Sequence, residues 1–84
     1  MSSPKKLLAK VLTGRADANI PFSGLCQLLK HLGFAERIKG SHHFSDQAGI
    51  EEILNLQPHG SLAKPYQTKQ VRGVILKYKL GDRM

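Results

Sequence analysis

Two adjacent histidines, His42 and His43, follow Gly40-Ser41 and are preceded by Arg37 and Lys39. A free imidazole, with a pKa of about 6.5, keeps a usable neutral fraction at cellular pH and can take up a proton as a general base. RNA carries its own nucleophile in the ribose 2′-hydroxyl, so a site built on histidine can break a phosphodiester without a metal. Proton transfer of this kind contributes roughly 10²- to 10⁴-fold. One imidazole serves one end of the reaction, and the other end requires a second group or water, for which His43 and His59 are candidates. Gly40, lacking a side chain, permits a tight turn and a close approach to phosphate, and Ser41 can donate a hydrogen bond to it. Arg37, Lys39, Lys64, Lys69 and Arg72 offer positive charge to further phosphates, an arrangement whose binding would fall steeply with salt. Neighbouring strand residues face opposite sides of a sheet, so His42 and His43 remain alternatives here.

Other chemistries find less support. Cys26 is the only cysteine, so no internal disulfide forms, and in its apolar helical stretch it reads as a small buried residue rather than a nucleophile. His42, His43 and His59 lack a closely spaced cysteine or carboxylate, and no metal is expected. Asp17, Asp46, Glu51 and Glu52 show no catalytic pair spacing, and no glycine-rich phosphate loop is present, so no small-molecule cofactor is expected either. Taken singly, each lysine reads as part of a solvated face. Tyr66 reads as packed onto the sheet, His31 as helix surface and His59 as loop.

The elements that must position these groups follow from the apolar pattern. Ser3-Pro4 opens a helix carrying Leu7, Leu8, Val11 and Leu12, and Gly14 closes it. After a loop over Arg15 to Pro21, Ser23 is placed to cap a second helix bearing Leu25, Leu28, Leu29 and Leu32, which Gly33 stops, with Phe34 packed under its end. Ala35 to Lys39, Ser41 to Ser45 and Ile50 to Gln57 read as three antiparallel strands separated by Gly40 and by Asp46-Gln47-Ala48-Gly49. Pro58 ends the third. His59 to Pro65 reads as a loop, and a last helix runs from about Tyr66 or Gln67 to Leu80 with Val71, Val74, Ile75 and Tyr78 on one face. Arg72 falls among its solvent-side cations. The fold class is α+β, an α-β-β-β-α order with an extra N-terminal helix and a three-stranded antiparallel sheet, the order of double-stranded RNA-binding domains.

Leu32-Gly33-Phe34, then Arg37-Ile38-Lys39-Gly40-Ser41-His42-His43-Phe44, resembles the signature of the HicA toxin family. The resemblance continues through Asn55-Leu56-Gln57-Pro58 and Ala63-Lys64-Pro65-Tyr66-Gln67 to Gln70-Val71-Arg72, covering roughly residues 20 to 80. It implies a ribosome-independent mRNA endonuclease neutralised by a HicB-type protein antitoxin, with the strand histidine as its active residue. By position that role falls on His42, with His43 the alternate. Where family members often carry an aliphatic residue followed by an aromatic, this chain has Phe44-Ser45. The alternative function is therefore a noncatalytic RNA-binding or antitoxin-binding module of the same fold.

Composition agrees with a polyanion partner. Thirteen Lys and Arg against six Asp and Glu give a formal charge of +7, a large excess for a chain this short. Eighty-four residues make one domain, residues 1–84, with 1–19 an N-terminal helical extension and loop and 20–80 the core. No segment has the length of apolar run that a signal peptide or a membrane span requires, so the expected location is the cytoplasm with no membrane partner.

Overall fold

A computed structural model describes residues 3–83. Helix α1 spans Pro4–Thr13. Its Ser3 cap accepts from the Lys6 amide, Pro4 takes the first turn, and Gly14 ends it with a left-handed φ of 72°. That left-handed residue turns its own amide back onto the Val11 carbonyl and so closes the helix. Leu7, Leu8 and Val11 are buried whereas Leu12 is partly exposed. The N-terminal helix therefore belongs to the main core.

Helix α2, Phe22–His31, starts one residue before the expected Ser23 cap, with Pro21 in the capping position and no side-chain cap. The first amide finds a partner elsewhere, because the Phe22 N–H donates to the Ser61 carbonyl at 3.0 Å. That tertiary bond satisfies one of the amides that a helix start leaves without an intrahelical partner. Strands β1 (Ala35–Lys39), β2 (His42–Asp46) and β3 (Leu54–Leu56) form an antiparallel sheet in the order β1-β2-β3. Lys39 pairs with His42, leaving Gly40-Ser41 as a two-residue turn in which Gly40 has φ 61°. Glycine at the first central position is the signature of a type II′ hairpin, whose twist matches that of the strands.

β3 is shorter than the expected Ile50–Gln57 strand. Ile50 packs against the core, but the segment around it is held by side chains: the Tyr78 hydroxyl donates to Glu52 at 2.7 Å and Lys77 pairs with the same carboxylate at 3.0 Å. The segment read as a loop contains a second small hairpin, β4 (Pro58–His59) and β5 (Leu62–Ala63), around Gly60-Ser61. Helix α3, Pro65–Lys77, begins with proline in its first turn and ends before Lys79, whose φ is 54°. A 3-10 turn at Leu80–Arg83 then buries Leu80.

Cross-strand partners share a face. One face of the sheet carries Glu36, Ser45 and Leu54 in one row and Ile38, His43 and Leu56 in the next. Leu54 and Leu56 are fully buried there with Leu25, Leu28 and Leu29 of α2, Val71 and Ile75 of α3, and Val11 of α1. Burial of each such side chain is worth about 1.5–3 kcal/mol before entropy, which is why these stripes decide where the helices lie. The other face carries Arg37, Phe44 and Asn55 in one row and Lys39 with His42 in the next, and it is left open. No helix among the described residues is long and apolar enough to cross a membrane.

Candidate functional site

The two-residue turn places His42 first in β2, on the open face, and His43 on the helix-covered face. His42 is exposed, its Nδ1 lies 3.1 Å from Asn55 Oδ1, and its ring stacks on Phe44 at a centroid distance of 6.1 Å and 23°. With Oδ1 accepting from Nδ1–H, Nε2 keeps its lone pair, which is the tautomer a general base requires. Asn55 thus sets the orientation of the ring. The sequence offered a signal for it, a polar residue between Leu54 and Leu56 in a strand whose side chains alternate.

A polar network ties the turn to α3. Gln57 Nε2 donates to Ser41 Oγ at 3.0 Å, and Lys64 Nζ donates to Gln57 Oε1 at 3.3 Å. Gln67, 2% exposed, accepts from the Gln57 amide at 3.2 Å and donates to the Asn55 carbonyl at 3.4 Å. Ser41, Lys64 and His42 are thereby held around one end of the sheet. Gln57 and Gln67, which connect them, have no reactive group, and nothing in their spacing marks them. Tyr66 is 64% exposed at the start of α3, correcting the expectation that it packs on the sheet.

The cations divide. Lys39 and Arg37 are exposed on the open face, with Arg37 3.7 Å from Asp46, and a depression of about 410 Å³ runs past Arg37, Ile38, Lys39 and Phe44. Lys69 is exposed on α3. Arg72 departs from its expected place among solvent-side cations. Its guanidinium forms a two-pronged ion pair with Asp17, at 2.7 and 3.1 Å, and also donates to the Val11 carbonyl at 3.1 Å. It is 17% exposed and joins α3 to α1 and the loop that follows, so its charge is already used within the fold. Its planar fork explains the choice of arginine there.

His43 occupies a different environment. Its Nδ1 is 3.1 Å from Glu36 Oε2, its ring meets Phe22 edge-on at 4.8 Å and 80°, and Cys26 Sγ lies 4.0 Å from the same nitrogen. Lys30 holds the other carboxylate oxygen, Oε1, at 3.2 Å. These groups line a cleft of about 490 Å³ that also touches Pro58, Gly60 and Ser61. Burial pushes the Glu36 carboxyl up, but hydrogen bonds from His43, Lys30 and Cys26 outweigh it and hold the group below its ordinary value. Burial, reinforced by the Glu36 carboxylate, pushes the Cys26 thiol up to about 12, so it is no nucleophile.

Two expectations change. His43 cannot supply the second proton transfer to a substrate seated at His42, since the strand separates them; His59 is exposed on β4. The histidines were expected to lack a nearby thiol or carboxylate, yet folding brings Cys26, Glu36 and His43 together within 4.8 Å. No family model, curated protein or solved structure matches the chain, so the functional reading rests on the site itself.

Proposed function

We propose that this chain is a cytoplasmic, metal-independent mRNA endoribonuclease of the HicA type, restrained by a HicB-type antitoxin. One observation carries the reading: His42 stands exposed on an open sheet face, oriented by Asn55, beside Lys39 and the Ser41–Gln57–Lys64 network. After α1 the larger elements run α2, the three-stranded sheet and α3, with the small β4–β5 hairpin between β3 and α3. Setting that hairpin aside, the order is like that of a double-stranded RNA-binding domain, which supports an RNA ligand by analogy alone. RNA laid on this face meets cations for its phosphates and one aromatic surface, Phe44 stacked on His42, for a base.

The chemistry follows from the free Nε2. His42 removes the proton of a ribose 2′-hydroxyl; O2′ bonds to phosphorus, the P–O5′ bond breaks, and the departing oxygen takes a proton from water. The chain is cut into a 2′,3′-cyclic phosphate and a 5′-hydroxyl. Lys39 and Lys64 stabilise the charge that gathers on the phosphate. A HicB-type partner with an acidic surface would cover the same cations.

The noncatalytic reading is favoured by a specific feature, that the neighbouring imidazole lies on the wrong side of the strand to act as the acid. One assay separates the two. Purified protein is incubated with mRNA in the presence of a chelator, alongside His42→Ala. The proposal expects cleavage by the native chain and a loss on the order of 10²-fold or more in the variant. Intact RNA that nevertheless binds in a salt-dependent manner would make the chain a binding module, and equal cleavage by both proteins would remove His42 from the mechanism.

A further inference from the structure

Cys26 comes from α2, Glu36 from β1 and His43 from β2, and their donor atoms converge within 4.8 Å at the wall of the cleft. We propose that Cys26 Sγ, Glu36 Oε2 and His43 Nδ1 form a binding site for a divalent cation of the zinc class, with the fourth position open to the cleft. This site is independent of the RNA reading, because His42 and the open face take no part in it.

Four features favour a metal over a simple hydrogen-bond cluster. First, the donor set is one cysteine sulfur, one imidazole and one carboxylate, which selects zinc-like ions over magnesium or calcium. Second, the spacing is near what coordination needs. Zinc bonds of about 2.3 Å to sulfur and about 2.0–2.2 Å to nitrogen and oxygen put ligand atoms of a tetrahedron roughly 3.3–3.6 Å apart. Here Nδ1 and Oε2 are 3.1 Å apart, Sγ and Nδ1 are 4.0 Å apart, and the donor atoms of the three residues lie within 4.8 Å of one another, so side-chain rotations that move the donors by about an ångström bring them to coordination distance.

Third, the outer shell is in place. Lys30 bonds Glu36 through Oε1, leaving Oε2 for the metal, and Phe22 braces the His43 ring from the side. Partners of this kind fix the orientation of first ligands. Fourth, the cleft provides an entry path and room for a water or anion as fourth ligand. Binding is an exchange: the Sγ–H proton leaves to solvent as the sulfur–metal bond forms, and His43 coordinates through Nδ1 with its proton on Nε2. Thiolate and carboxylate together balance the dication.

The test uses the untagged full chain, stripped with chelator, then titrated with Zn²⁺ alone and with Co²⁺ as a spectroscopic stand-in. The expected result is one equivalent bound, with a thiolate-to-cobalt charge-transfer band and the visible bands of a tetrahedral ion. Cys26→Ser should abolish the charge-transfer band, and His43→Ala and Glu36→Gln should each weaken affinity by about tenfold or more. Circular dichroism on each variant separates loss of a ligand from loss of fold, and Cys26→Ser, a near-isosteric change, retains the test if His43→Ala unfolds. His42→Ala should bind cobalt like the native chain. Absence of saturable binding, or a charge-transfer band that survives in Cys26→Ser, overturns the site. Because cleavage is assayed in chelator, loss of either activity leaves the other readable.

Discussion

His42 and His43 are neighbours in sequence whose imidazoles leave β2 on opposite faces, one bonded to Asn55 in solvent and the other to Glu36 against Phe22. Their substitutions should therefore fail in different ways. His42→Ala removes an exposed ring and should change stability by no more than about 0.5 kcal/mol while lowering the proposed RNA cleavage on the order of 10²-fold or more. His43→Ala leaves the Glu36 carboxylate, 9% exposed, short of a partner, and should cost on the order of 1–3 kcal/mol. Urea melts on both variants check the first half of this contrast, and gel assays of RNA check the second.

Arg72 and Asp17 are expected to behave as a structural pair. The two prongs and the added bond to Val11 predict that Arg72→Ala destabilises by roughly 1–3 kcal/mol, and that Arg72→Lys restores little because an ammonium cannot span both carboxylate oxygens. A double-mutant cycle with Asp17→Ala should give a coupling energy of about 0.5–3 kcal/mol. RNA binding supplies the second readout. Lys39→Ala leaves one phosphate without its cation and should reduce the salt slope of binding by about 0.7–0.9, whereas Arg72→Ala should leave the slope unchanged.

How far the chain could be read beforehand follows from what kind of interaction fixes each part. The three helices, the three strands and the break at Gly40 were legible because period, caps and glycine are local signals, although Ser41, expected to open the second strand, lies in the turn and β2 starts at His42. Placing His42 and His43 on opposite faces followed from alternation, although which face was open did not. The start of α2 at Phe22 depends on the Ser61 carbonyl, and the fate of Arg72 depends on Asp17, 55 residues away. Such partners are chosen by tertiary packing and leave no trace in spacing. The β4–β5 hairpin had a local clue, Gly60-Ser61 repeating the Gly40-Ser41 pair, but strands of two residues lack the alternation that would have supported it. The Cys26, Glu36 and His43 cluster was invisible because its members belong to three elements.

Acid should loosen the attachment of α3 to the segment before β3. The Tyr78 hydroxyl, followed by Lys77, holds the Glu52 carboxyl below its ordinary value of 4.5. A carboxyl depressed in the folded state contributes stability above its unfolded pKa, and that contribution is lost as pH falls through the lower folded value. Stability measured on descending through about pH 4.5 should therefore fall less steeply in Glu52→Gln than in the native chain. Tyr78→Phe should move the acid limb in the same direction by removing the main donor, and an unchanged limb in both variants would show that this pairing contributes nothing to acid sensitivity.

Gly40 controls where β2 begins, and its φ of 61° is the value that an L side chain disfavours. A Cβ added there would meet nothing within 4 Å, so any cost of substitution comes from the backbone alone. Gly40→Ala should then destabilise by about 1 kcal/mol, the left-handed penalty. A D-alanine at the same position, introduced by chemical synthesis, suits the positive φ and restricts the unfolded chain, so it should stabilise by about 0.4–1 kcal/mol. Because Lys39 pairs with His42 across this turn, the proposed RNA cleavage would report on the register as well. The D-alanine chain should cleave like the native one, whereas any register slip of one residue in the L-alanine chain would send His42 to the covered face and abolish activity.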